Sequence, residues 1–108
     1  MNSLHFNAQE RGLMLAGAKI GGKYWNDYTG DHLRKSEIVR MQTAIDTGHD
    51  VTGTALRMVC LGLEIIFWRI DSPPEGIPAL LNRLETICGY ERWGMDLQNI
   101  AGVGWSGF

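Results

Sequence analysis

Apolar and polar positions alternate with helical spacing along most of this chain. Between residues 55 and 70 only Arg57, Gly62, Glu64 and Arg69 interrupt a run of aliphatic, sulfur-containing and aromatic side chains. A helix that is apolar nearly all round is stable in water only when other elements cover it. The pattern therefore predicts a helix over 54–70 at the centre of the fold. The segment LEIIFWRI is rich in strand formers, but the apolar run continues upstream through TALRMVC and is too long for an ordinary strand. Arg57, Glu64 and Asp71 also recur every seven residues, which places them on one side of a helix.

The flanking segments give weaker versions of the same signal. Asn7, with Glu10 three residues on, has capping-box spacing and starts a first helix. Leu13, Ala16, Gly17 and Ile20 form its apolar face, and Gly21-Gly22 is read as its stop. Gly17 and Gly21 have the spacing that lets helices pack closely. Residues 23–30, KYWNDYTG, form a loop or an extra helical turn. Asp31 then caps a helix over 32–47, with Ile38, Met41 and Ile45 as its seam and Lys35, Ser36, Thr43 and Asp46 on the opposite side. Gly48 ends it, and Asp50, Thr52 or Thr54 caps the helix that follows.

Further along, Ser72-Pro73-Pro74-Glu75 is a start signal, yet Pro78 would remove a hydrogen bond from any helix running through it. A single turn over 73–76 and then a helix over 78–88 resolve the conflict. Ile77, Leu80, Leu81, Leu84 and Ile87 give this helix the cleanest amphipathic stripe in the chain, and Gly89 closes it. One short helix fits within 91–100, turning Trp93, Leu97 and Ile100 inward. The glycine-rich end, AGVGWSGF, is an irregular tail anchored by Trp105 and Phe108. The whole reads as one domain over 1–108, an all-α compact bundle of four to five helices around a central hydrophobic helix.

Composition refines this picture. A length of 108 residues with 44% hydrophobic content suits a single globular core. A net charge of −2 gives no global attraction to nucleic acid or anionic membranes, so any phosphate binding must come from a local patch. No secretory signal is read at the start, and the most apolar window is shorter than the about 20 residues a bilayer needs. Cys60 and Cys88 both fall at apolar helical positions and are expected to be free thiols in a cytoplasmic protein.

No catalytic, cofactor or metal signature follows from the residue spacing. The run from Gly102 to Gly107 has the letters of a dinucleotide fingerprint but lacks the preceding strand and following helix that hold a pyrophosphate. His5, His32 and His49 do not fall at metal-ligand spacing. Glu64 is expected to pair with Arg57, Arg69 or Arg83 at the core's edge; a catalytic acid is the alternative. A helix–turn–helix around Ala44 and Gly48 fails, because His49, Thr54 and Arg57 are polar where that motif needs apolar residues.

The candidate contact surface is 23–40. Tyr24, Trp25 and Tyr28 supply flat faces, and Lys23, His32, Arg34, Lys35 and Arg40 supply charge or donors. Stacking on aromatics while cations follow the backbone is how single strands are held without sequence reading. Asp27, Asp31 and Glu37 nearly cancel the local charge. The same residues therefore also suit a protein interface, where Tyr, Trp and Arg are common anchors, or completion of the core.

In type, an acidic helical chain of about a hundred residues with an aromatic-rich segment and no enzyme motif resembles the small anti-CRISPR proteins of phages and mobile elements. The resemblance implies a non-catalytic inhibitor acting by stoichiometric binding in the bacterial host cytoplasm, without cofactors. Its implied partner is a CRISPR surveillance complex, the single-stranded DNA exposed in that complex's R-loop, or alternatively a protein subunit or nuclease of the complex.

Overall fold

Four helices dominate the computed structural model, which describes residues 5–29, 34–47, 51 and 53–92. They are α1 (Ala8–Thr29), α2 (Lys35–Thr47), α3 (Gly53–Arg69) and α4 (Ile77–Cys88). No strand occurs among the described residues, so the all-α reading holds. The expected helix over 91–100, apart from residues 91 and 92, and the C-terminal tail lie outside the described residues. So do the proposed caps Asp31, Asp50 and Thr52, and the stop at Gly48.

The capping box at the start of α1 forms in both directions. The Glu10 N–H donates to Asn7 Oδ1 at 2.8 Å, and the Asn7 N–H donates to Glu10 Oε1 at 2.9 Å. Two donors at the helix end are thereby satisfied. The expected stop at Gly21-Gly22 does not occur, and α1 runs on through the KYWNDYT segment to Thr29. A glycine ends a helix by turning left-handed, and among the described residues only Gly76 and Gly89 have positive φ.

Gly21 is instead a packing surface. A Cβ on it would sit 1.9 Å from the Met58 carbonyl oxygen of α3, and one on Gly62 would sit 1.8 Å from the Gly17 carbonyl oxygen of α1. At Gly17 a Cβ would come within 2.7 Å of the Val59 carbonyl oxygen. α1 and α3 thus cross backbone against backbone. The α-hydrogen that replaces each Cβ points along the same line, so the contacts at Gly21 and Gly62 are reciprocal Cα–H···O=C approaches.

This crossing moves the buried face of α1 by one position from the face the large apolar residues suggest. Met14, Gly17, Ala18, Gly21 and Gly22 are buried, whereas Ala16 is exposed and Leu13 and Ile20 are only half-buried. α3 contributes eleven buried residues, from Ala55 to Ile66 with only Arg57 left out. It packs against both α1 and α4, and α2 packs against α1. In α2 the expected seam is present, with Met41 and Ile45 buried and Ile38 packed against the core.

The link into α4 follows the proline logic. Gly76, at φ 91°, caps the helix, Pro78 takes an early position, and the Leu80 N–H reaches the Gly76 carbonyl. Ile77, Leu80, Leu81 and Leu84 are buried. Ile87 departs from the expected stripe and is 38% exposed. No described helix is long and apolar enough to cross a membrane.

Candidate functional site

The last turns of α1 carry Lys23, Tyr24, Trp25 and Tyr28. Tyr24 and Trp25 are only 9% and 7% exposed and belong to the hydrophobic core. A base stacks on a ring only where a ring face is open, so the stacking role expected of these two is corrected: they complete the core. Because α1 does not stop at Gly21-Gly22, the aromatic segment continues its inward-facing side. Lys23 is exposed, its ammonium 5.3 Å from the Tyr24 ring centroid in cation–π contact. The Tyr28 side chain and all of His32 lie outside the described residues.

Arg34 leads into α2, its carbonyl accepting the N–H groups of Glu37 and Ile38 at 2.9 and 3.3 Å. Arg34, Lys35 and Arg40 are exposed. The structure adds Val39, 51% exposed, in one i, i+4 row with Lys35, Thr43 and Thr47. Thr43 Oγ1 donates to the Val39 carbonyl at 2.9 Å, and Thr47 Oγ1 donates to the Thr43 carbonyl at 2.8 Å. Both hydroxyls are thus bonded within their own helix and demand little from water or a partner. The exposed side of α2 therefore carries Lys35 and Arg40 together with a row of low polar demand, and Arg34 is exposed just before the helix. Glu37 and Asp46 are exposed on the same helix. Val39 was legible only as the residue four beyond Lys35 and four before Thr43.

A second grouping of chemical side chains lies inside the molecule, between α3 and α4. Cys60 and Glu64, one turn apart on α3, are both fully buried. Cys88 ends α4, and Glu85 lies one turn before it. The left-handed Gly89 sends its N–H back to the Glu85 carbonyl at 2.8 Å, and Tyr90 follows at the position that habitually packs back on the helix. Tyr90 is 7% exposed. Its hydroxyl faces Glu64 but meets no partner at hydrogen-bond geometry.

Burial pushes the Tyr90 hydroxyl far above its ordinary ionisation range, and the charges of Glu64 and Glu85 add to the shift. Burial, then Cys88 and the two carboxylates, raise the Cys60 thiol in the same way. Glu64, expected to pair with Arg57, Arg69 or Arg83 at the core's edge, is instead fully buried. Arg83 pairs elsewhere, with Glu10 at 2.7 Å and the His5 carbonyl. Glu85 pairs with Arg92, which also donates to Asn82 Oδ1.

Both cysteines are free thiols. Among the described residues no three His, Cys, Asp or Glu side chains are grouped to hold a metal ion. A left-handed glycine followed by an aromatic was the sequence signal for Tyr90, and the i, i+4 pair Cys60–Glu64 was the signal for the polar interior. No protein-family model, curated protein or solved structure matches the chain.

Proposed function

We propose that this chain is a non-catalytic inhibitor of the anti-CRISPR type that acts in the bacterial cytoplasm. It covers a protein surface of the CRISPR complex or its nuclease in a stoichiometric complex. The observation that carries the reading is the outer face of α2. Lys35 and Arg40 are exposed on the same helix as Val39, with Arg34 exposed just before it; the Val39 side chain is half uncovered, and the hydroxyls of Thr43 and Thr47 in its row are already bonded. An exposed aliphatic residue on a helix that also carries exposed basic side chains suits a protein interface. The burial of Tyr24 and Trp25 removes the flat faces on which a single strand would lie.

Single-stranded DNA exposed in an R-loop is the second reading. Its support is reduced to the cations Lys23, Arg34, Lys35 and Arg40. A plaque assay on a CRISPR-immune bacterium tests the first reading. The wild-type chain is expected to restore plaques, and Val39→Asp and Arg40→Glu to abolish that effect while remaining folded. Failure to restore plaques against every CRISPR type challenged overturns the reading. Titration of labelled single-stranded DNA at two salt concentrations separates the readings. Salt-sensitive binding lost in Lys35→Glu moves the assignment to nucleic acid.

A further inference from the structure

The exposed side of α2 carries a carboxylate, Asp46, that the target surface described above does not use. Lys35, Val39, Gln42, Thr43 and Asp46 recur at spacings of three and four, so they lie along one stripe of the helix. All are exposed except Gln42, which is half-buried. The stripe opens on a cation at the first residue of α2 and ends on a carboxylate at the last residue but one. Both charges stand at the wrong end of their own helix, whose dipole favours acidic side chains at the start and basic ones at the end. Neither makes an ion pair among the described residues. We propose that this stripe is a self-association surface, on which a second copy of the chain lays its own α2 antiparallel about a two-fold axis.

Antiparallel packing makes the stripe its own complement. With Lys35 level with Asp46 of the second copy, the axis repeats the pair at the other end, where Asp46 meets Lys35 of the second copy. Val39 then stands level with Gln42 of the second copy. The two Val39 side chains are offset by only about 4.5 Å along the helices, at 1.5 Å per residue. One apolar contact is thus flanked by two ion pairs, as an isologous interface requires. A parallel pair would set Lys35 against Lys35 and Asp46 against Asp46. The misplaced charges also find their explanation here. Lys35 comes to lie beside the negative end of the second helix and Asp46 beside its positive end. The hydroxyls of Thr43 and Thr47 are already bonded to carbonyls of α2, so covering them strands no donor. The 13 residues of α2 offer a strip about 20 Å long. That is small for a specific interface, so the dimer is weak and forms at high concentration. The stripe includes Lys35 and Val39, which were assigned above to the target. On that reading the dimer is a stored form and the monomer the inhibitor, whereas the self-association itself does not rest on it.

Sedimentation velocity of the full chain from about 10 µM to about 1 mM, at two salt concentrations, tests the proposal. The expected result is a shift from monomer to dimer with concentration, weaker at the higher salt and with no larger species. Lys35→Asp and Asp46→Lys should each weaken dimerisation at least about tenfold, because each sets like charges together at both ends. An equimolar mixture of these two variants should associate again, and the chain carrying both exchanges should dimerise as the wild type does. Circular dichroism confirms that all three are folded. A wild-type chain that stays monomeric throughout, growth beyond a dimer, or a mixture that fails to associate overturns the assignment. No target is present in this experiment. A chain that dimerises as described but restores no plaques therefore upholds the self-association and overturns only the inhibitor reading.

Discussion

Single atoms decide much of this molecule, and glycine is the clearest case. Gly62→Ala places a Cβ where the Gly17 carbonyl oxygen already stands. The backbone on each side cannot rotate away, so α1 and α3 must separate. A loss of at least about 3 kcal/mol is expected in denaturant unfolding, the scale of severe core overpacking. Gly12→Ala, also within α1 but with nothing inside 4 Å, should stabilise the chain by ~0.5–1 kcal/mol through helix propensity. A similar cost for both would refute the crossing. Tyr90→Phe removes a buried hydroxyl that has no hydrogen-bond partner, so stability at neutral pH should hold or rise by up to about 1 kcal/mol. A loss of that size would mean that the hydroxyl is bonded to Glu64. These atomic facts were only half legible. The Gly17–Gly21 spacing announced close packing, but no local pattern joins it to Gly62, more than forty positions on. Glu64 was expected in an ion pair at the core's edge, because the sequence does not say how deeply neighbouring helices cover this part of α3.

At the level of elements, the start of α1 and the ends of α2 and α4 were legible, and the stop read at Gly21-Gly22 was not. Start signals are local: the Asn7–Glu10 hydrogen bonds and Pro78 in the first turn of α4 act on their own few residues. Stops at glycine depend on tertiary demand, and Gly21 could stay helical because α3 fills the space beside it. The read-through of α1 also carried Tyr24 and Trp25 into the core, which undid the stacking surface expected of them. Asn7→Ala should lower stability by about 1 kcal/mol, measured by chemical denaturation. Arg83→Ala releases the N-terminal segment from α4, since this side chain pairs with Glu10, donates to the His5 carbonyl and stacks over Phe6 at 4.4 Å. Its guanidinium is part-exposed, so a cost of only ~0.5–1 kcal/mol is expected. The Asn7 backbone N–H, followed by Arg83, holds the Glu10 carboxyl below its ordinary value of 4.5. Its contribution is therefore complete above that pH and fades as pH falls through the lowered value. Arg83→Ala should flatten part of the acid limb of the stability profile.

Across the whole molecule, the buried thiol and phenol set an alkaline limit. Cys60 and Tyr90 ionise at ordinary values of 9.0 and 10.0 once the chain unfolds but resist ionisation in the fold. The unfolded chain therefore binds fewer protons above those values, and stability must fall as pH rises past about 9 and again past about 10. Thermal melts from pH 7 to 11 should show this decline, and Tyr90→Phe and Cys60→Ala should each remove part of it. A flat profile would place these groups in water. The all-helical class was legible because helical periodicity is a local property summed over many residues. The polar interior was not, because it is assembled from α3, α4 and the turn after Gly89. The crossing of α1 and α3 also has a consequence for descent. Side chains can drift and compensate one another, but a carbonyl pressed against an α-carbon leaves no substitute to select. Relatives diverged beyond recognition elsewhere should still carry glycine at the positions of Gly21 and Gly62, and a saturation library selected for folding should return the same two letters.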